Sequence, residues 1–119
     1  MAAFVDTSVG NKLSVAEWDA TTSQWTFLGG RGVSSGQVEY VSLALDWFGN
    51  PMVAFKDLTC TSMGKLTVLQ WDSSTSTWAP LGLPCFSLGE VFEIQASRQN
   101  APETRGAAAA RRMVANRRV

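Results

Sequence analysis

The sequence has no histidine, only two cysteines, and few charged residues, which make up 17% of its 119 residues. The absence of histidine excludes a catalytic triad of the common type and a histidine-ligated metal site. No apolar run approaches the roughly 20 residues of a membrane-spanning helix. Residues 1–6 lack the basic start and apolar run of a signal peptide. We therefore expect neither an export signal in this chain nor a membrane span.

Charge is unevenly distributed, although basic and acidic residues number 10 each. Residues 1–97 carry four Lys/Arg against nine Asp/Glu, whereas residues 98–119 carry six Arg against Glu103. The composition changes there to Ala and Arg. We divide the chain into a repeat region, residues 1–96, and a basic Ala/Arg-rich tail, residues 97–119, which we expect to be disordered or to form a short helix.

The dominant feature of the sequence is an internal repeat at an offset of 53 residues. Residues 12–42 and 65–95 share 13 identities in 31 pairs without a gap. K-L-S-V-A-E-W-D at 12–19 recurs as K-L-T-V-L-Q-W-D at 65–72. Residues 1–6 match residues 52–57 at four of six positions, at an offset of 51. A period near 50 residues indicates stacked supersecondary units.

Each unit contains short apolar segments rich in β-branched and aromatic residues, which favour strands over helices. The second copy contains four: a (about 40–45), b (about 52–56), c (about 65–71) and d (about 77–81). Four-stranded antiparallel units at this period are typical of propeller blades. The predicted fold is all-β, with strands in the order b-c-d, a-b-c-d and a final a at 91–96. A β-sandwich with accidental self-similarity is the alternative.

The motifs S-L-A-L-D-x-x-G-N-P-x-V-A-F-x-D at 42–57, G-K-L-T-V at 64–68 and W-x-x-L-G at 78–82 are the most specific part of the chain. Together they resemble a tandem β-propeller repeat that is common in bacterial and algal secreted or surface proteins. The resemblance covers residues 1 to about 95. It implies four-stranded blades of about 50 residues and favours an extracellular or surface location.

The number of blades is low, because closed propellers have about four or more and this chain has strands for about two. Three explanations remain open. The chain is a fragment, or a misread gene model, of a longer propeller; or it self-associates to complete one; or it folds as a marginal unit. The loss of the strand pattern after residue 96 favours the first.

Carboxylates recur at equivalent strand ends, Asp6 with Asp57 and Asp19 with Asp72. This recurrence favours turn capping over catalysis. The Gly-rich segment 29–32 leads into a strand and not into a helix, so it does not form a phosphate-binding loop. We predict no catalytic residues, no metal ligands and no cofactor.

Trp47 and Phe48 place two aromatic rings at the tip of the a–b turn, at the same end as the Ser/Thr-rich c–d loops. Exposed rings bind sugars or proteins, so this pair is the candidate binding site. Packing against an adjacent blade is the alternative. The other tryptophans recur with the repeat and are interpreted as packing residues: Trp18, Trp25, Trp71 and Trp78.

The two cysteines, Cys60 and Cys85, lie in the b–c and d–a loops. In an up-and-down blade these loops emerge at the same end, which predicts a disulfide and hence an oxidising compartment. Two free thiols are the alternative.

The sequence favours a non-catalytic propeller fragment that binds a protein or a glycan. The alternative is a fragment of a carbohydrate-active propeller enzyme whose active site lies in blades absent from this chain. Nucleic-acid binding is disfavoured, because the tail has no lysine cluster and no aromatic residues for stacking on bases.

Overall fold

The structure of the chain, a computed structural model, describes residues 1–60, 64–87, 89, 93–95 and 114–116. These residues form antiparallel strands and one short 3-10 helix, Thr7–Val9. The strands are β1 (Ala2–Asp6), β2 (Lys12–Asp19), β3 (Gln24–Phe27), β4 (Val38–Leu45), β5 (Pro51–Asp57), β6 (Lys65–Asp72), β7 (Thr77–Pro80), β8 (Glu93–Gln95) and β9 (Val114–Asn116). The predicted all-β antiparallel fold is confirmed. Within the described residues, no helix has the length and hydropathy needed to span a bilayer.

The strands form sheets whose members follow one another along the chain. Strands β1-β2-β3 make a three-stranded sheet, called sheet A here, and β4-β5-β6-β7 make a four-stranded sheet, called sheet B. Strands β8 and β9 form a two-stranded ribbon. In the sequence repeat, β1, β2 and β3 correspond to β5, β6 and β7. Sheet A is therefore the counterpart of sheet B without the strand equivalent to β4.

Sheets A and B pack face to face around the main hydrophobic core. Its buried side chains are Leu13, Val15, Val38, Val53, Phe55 and Leu69. Leu13 and Val15 lie two residues apart on β2 and so point to the same face. Val53 and Phe55 do the same on β5. Burying each such side chain contributes about 1.5–3 kcal/mol.

Sheet B is packed on its second face as well. Ala54, Leu66 and Val68 form a smaller core with Leu81 and with Ile94 of β8. Every residue of β5 is consequently buried. Burial on both faces explains why this strand is apolar at successive positions instead of alternating.

The outer face of sheet A has no second layer among the described residues. Phe4 is 36% exposed, Trp18 47% and Trp25 53%. By contrast Phe55, the repeat counterpart of Phe4, is only 1% exposed because sheet A covers it. The two sheets therefore carry similar residues in different environments.

The tail departs from the sequence-based expectation where it is described. Residues 114–116 form β9, with Ala115 opposite Ile94 of β8. The expected helix or disorder is wrong for these three residues, because pairing with β8 supplies the backbone hydrogen bonds that a marginal helix would provide itself. The rest of the tail, residues 97–113 and 117–119, lies outside the described residues.

Candidate functional site

The turn between β4 and β5 is held by a buried carboxylate. Asp46 is 3% exposed, and its Oδ1 accepts hydrogen bonds from the backbone amides of Phe48 and Asn50, both at 2.8 Å. Its Oδ2 accepts from the side-chain amides of Asn50 at 3.3 Å and Gln70 at 3.4 Å. The amide of Gly49 closes the turn by donating to the Asp46 carbonyl at 3.0 Å. The conformation of the tip is therefore fixed through its main chain.

This turn presents Trp47 and Phe48 to solvent. Their exposed fractions are 42% and 59%. Gly49 follows them at φ +84°, a left-handed conformation that glycine adopts without steric cost. The two candidate binding residues thus lie side by side on an ordered tip.

A shallow hollow of about 310 Å³ opens beside this turn, at the end of sheet B where β6 leads into β7. The described residues that line it are Asn50, Gln70, Trp71, Asp72, Ser73, Ala79 and Pro80. Residues with amide, carboxylate and hydroxyl groups therefore form most of its lining. Trp47 and Phe48 do not line the hollow, although Asn50 belongs to their turn.

Local contacts fix the charged and aromatic groups of the hollow. Asp72 accepts hydrogen bonds from the hydroxyl of Ser74 at 2.6 Å and from its backbone amide at 2.9 Å. These bonds, the hydroxyl bond most of all, hold the pKa of Asp72 below its ordinary value, so the carboxylate remains ionised. Trp71 packs edge to face on Trp78 with ring centroids 5.3 Å apart. The hollow thus has a fixed anionic acceptor, and the Trp71 ring is held against Trp78 on the face of β6 that points to sheet A.

The sequence identifies the turn tip but does not identify the hollow. Antiparallel pairing of β5 with β6 places Gln70 opposite Met52, two residues after Asn50 in the β4–β5 turn, and so brings Gln70 and Asn50 together. The sequence contains one indication of the hollow: Gln70 and Asp72 lie two residues apart on β6 and therefore share a face of the sheet. Ser73 belongs to the Ser/Thr-rich loop that is expected at the same end of the sheet as Trp47.

In sheet A, a buried aspartate caps the turn that follows β1. The carboxylate of Asp6 accepts hydrogen bonds from the hydroxyls of Ser8 at 2.5 Å and Ser14 at 2.8 Å. Arg31 donates to it at 3.2 Å. The Ser8 hydroxyl first, and then the Ser14 hydroxyl, lower the pKa of Asp6 to about 2. This carboxylate therefore has a structural role.

Sheet B contains the same network around Asp57. Its carboxylate accepts hydrogen bonds from the hydroxyls of Thr59 at 2.5 Å and Thr67 at 3.0 Å. Thr59 and Thr67 are the counterparts of Ser8 and Ser14. Both aspartates therefore cap turns, as their recurrence in the sequence indicates.

Cys60 and Cys85 are joined by a disulfide in the structure, with Cα atoms 5.7 Å apart. The backbone amide of Cys85 also donates to the hydroxyl of Thr67 at 2.9 Å. One carboxylate oxygen of Asp57 lies within 4.8 Å of both sulfurs. Metal ions bind the thiolate form of cysteine, whereas these sulfurs are bonded to each other. This group is therefore a structural crosslink between the β5–β6 loop and the segment after β7.

Comparisons of the chain with protein-family models, with curated proteins and with solved structures gave no match. Function must therefore be inferred from the chain's own residues and contacts.

Proposed function

We propose that this chain is a non-catalytic binding module built of propeller-type blades, and that it binds a glycan at the β4–β5 end of sheet B. One observation carries the proposal. At that end, the polar residues Asn50, Gln70 and Asp72 line a shallow hollow, and the neighbouring turn exposes the aromatic rings of Trp47 and Phe48.

Two features support propeller-type blades. Sheet B has four antiparallel strands in sequence order and is packed on both faces, as a blade is between its neighbours. Repeat-related residues also make matching bonds in the two sheets. The hydroxyl of Ser34 accepts from Leu13 N at 2.9 Å, and that of Ser87 accepts from Leu66 N at 3.0 Å. Matching contacts favour stacked equivalent units over a single sandwich.

The chemistry of the hollow favours a sugar over other small ligands. The carboxylate of Asp72 accepts hydrogen bonds, and the amides of Asn50 and Gln70 both donate and accept them, as sugar hydroxyls require. An aromatic ring such as Trp47 offers an apolar surface for a face of the sugar ring. A shallow, open hollow suits a ligand that lies along the surface of the protein.

The disulfide between Cys60 and Cys85 supports a location where glycans are encountered. Disulfides persist in secreted and surface proteins and are rare in reducing compartments. A surface or extracellular location is consistent with the resemblance of the repeat to those of secreted proteins.

Binding of the full chain to a glycan array tests the proposal. We expect Trp47→Ala and Asp72→Ala each to weaken binding about 10-fold or more, the equivalent of about 1.4 kcal/mol. Asp19→Ala is the matched control, because Asp19 caps the equivalent turn by accepting from Thr21 N at 2.9 Å but lies in sheet A. The control should bind like the unmodified chain, and circular dichroism should show all variants folded.

Two results would contradict the glycan proposal. One is no glycan signal from the unmodified chain, and the other is an equal loss for the Asp72 and Asp19 variants. A signal on a protein array alone, lost with Trp47→Ala, would keep the binding module and replace its ligand by a protein.

A further inference from the structure

Sheets A and B are in contact where Trp78 packs against Gly29. Nε1 of Trp78, in sheet B, donates to the carbonyl of Leu28, in the turn that follows β3 of sheet A, at 2.9 Å. A Cβ atom at Gly29 would lie 3.0 Å from Cδ1 of Trp78 and 3.3 Å from Cζ3 of Trp71. A side chain at this position would force the rings to shift, and its φ of +77° also favours glycine. The Leu28-Gly29 turn is therefore a seat for the Trp71-Trp78 pair.

A second tryptophan pair of the same kind lies on the outer face of sheet A. Trp18 and Trp25 pack edge to face with centroids 5.5 Å apart and an interplanar angle of 66°. The corresponding values for Trp71 and Trp78 are 5.3 Å and 62°. Yet Trp25 is 53% exposed. This pair has the same shape as the seated pair but no seat among the described residues.

The seat also occurs a second time, as Leu81-Gly82 after β7. Leu81 and Leu28 donate their backbone amides to β6 and β2 carbonyls at 2.8 and 2.9 Å. Gly82 and Gly29 share the same φ of +77°. No described atom lies within 4 Å of a Cβ built at Gly82. The second seat therefore has the backbone of the first, and no described residue fills the space over Gly82.

We propose that the chain self-associates head to tail, with Trp25 of one copy docking on the Leu81-Gly82 seat of a second copy. The Trp78–Leu28 contact between the sheets would then be reproduced between molecules. Association would cover the outer face of sheet A, including the edge-to-face pair of Phe4 and Phe27, whose centroids are 6.3 Å apart.

A second copy is the partner that fits, because every copy carries one exposed tryptophan pair and one seat of matching geometry that none of the described residues fills. Docking of unlike surfaces is heterologous, so each contact leaves one seat and one pair available for the next molecule. The assembly closes into a ring if the rotation per copy permits it and otherwise grows as a filament. This inference does not depend on glycan binding, because Trp25 does not line the hollow.

Sedimentation of the full chain over a range of concentrations tests the proposal. The unmodified chain should show an average mass rising from its 12.9 kDa to at least twice that value. Trp25→Ala should weaken association about 30-fold or more, as loss of a buried interface tryptophan does. Gly82→Asn should do the same by filling the seat, and asparagine tolerates positive φ. Gly10→Asn is the matched control, because Gly10 also has φ +77° and open space around it.

Mixing the variants distinguishes this arrangement from others. The Trp25→Ala chain keeps its seat and the Gly82→Asn chain keeps its tryptophan pair. Each alone should remain monomeric, and together they should form a 1:1 dimer and nothing larger. A monomeric unmodified chain, or a Gly82→Asn chain that still dimerises through its aromatic face, would overturn the proposal. If a variant no longer associates but still binds glycan, the proposed function is unaffected.

Discussion

Cys85 and Gly32, which occupy equivalent positions 53 residues apart, share a left-handed backbone conformation with φ of +58° and +68°. Their backbone amides donate to equivalent hydroxyls, of Thr67 at 2.9 Å and Ser14 at 3.0 Å. This conformation costs a residue with a Cβ about 1–2 kcal/mol. In sheet B the disulfide holds Cys85 in the conformation that glycine adopts freely in sheet A.

A second disulfide can therefore be introduced into sheet A. Val9 is the counterpart of Cys60, and a Cβ at Gly32 would lie 3.4 Å from the Cβ of Val9, close to the separation of about 3.5–4.5 Å in disulfides. We expect Val9→Cys with Gly32→Cys to oxidise and to have a free energy of unfolding about 2–4 kcal/mol above that of the paired serine variant, which carries the same left-handed cost at residue 32. Thiol titration and urea unfolding measure this. The paired serine substitutions are the control, and two titratable thiols in the oxidised protein would contradict the prediction.

Reduction of the native disulfide should destabilise the chain by about 2–4 kcal/mol, because the crosslink between Cys60 and Cys85 restricts the unfolded state. Urea unfolding with and without reductant provides the measurement. The unfolding of a Cys60→Ser, Cys85→Ser double variant should be insensitive to reductant. Alkylation of both thiols in native, unreduced protein would show that the crosslink is absent.

Gly29→Ala should destabilise the chain more than Gly30→Ala. Both glycines have positive φ, so either substitution carries the left-handed cost of about 1–2 kcal/mol. At Gly29 the new methyl group would also lie 3.0 Å from Trp78, whereas a Cβ at Gly30 meets nothing within 4 Å. Overpacking adds about 1–3 kcal/mol. Equal unfolding free energies for the two variants would mean that Trp78 does not sit on Gly29.

Acid unfolding should depend on Asp6. Hydrogen bonds from Ser8 and Ser14 lower its folded pKa from 3.8 to about 2. Its contribution to stability is therefore fully present above its ordinary pKa and is lost as the pH falls from about 4 to about 2. Asp6→Asn should be less stable at neutral pH and should lose less stability over that interval.

Thermal unfolding at closely spaced pH values measures this effect of Asp6. Glu39→Gln is the control, because Glu39 is an exposed acid on β4, outside the Asp6 network. If the thermal stability of Asp6→Asn fell with pH in parallel with that of the unmodified chain, Asp6 would not be the group responsible for the loss of stability in acid.

The strands of the second unit could be predicted because local pattern determines them. The predicted segments at about 52–56 and 65–71 became Pro51–Asp57 and Lys65–Asp72. β4 begins at Val38, earlier than predicted, because a register shift between Glu39 and Ser42 lets the ladder continue towards its start. Tyr40 has φ +53° there. Alternation alone does not reveal such a bulge, because the extra residue breaks the period of two.

The candidate site could be predicted only in part. Trp47 and Phe48 are evident because two aromatic residues interrupt a turn-forming segment. The hollow depends on Gln70 reaching Asp46 across the sheet, 24 residues away in sequence. Strand register determines that approach, and no short segment of sequence encodes it.

The buried carboxylate of Asp46 has a consequence for how the turn tip can change. Two of its hydrogen bonds come from the backbone amides of Phe48 and Asn50, and these amides do not depend on the side chains at positions 47 and 48. Substitutions at residues 47 and 48 that keep the backbone amide therefore leave these bonds to Asp46 available. A library varied at these two residues would therefore sample new ligand preferences on a turn that Asp46 still caps.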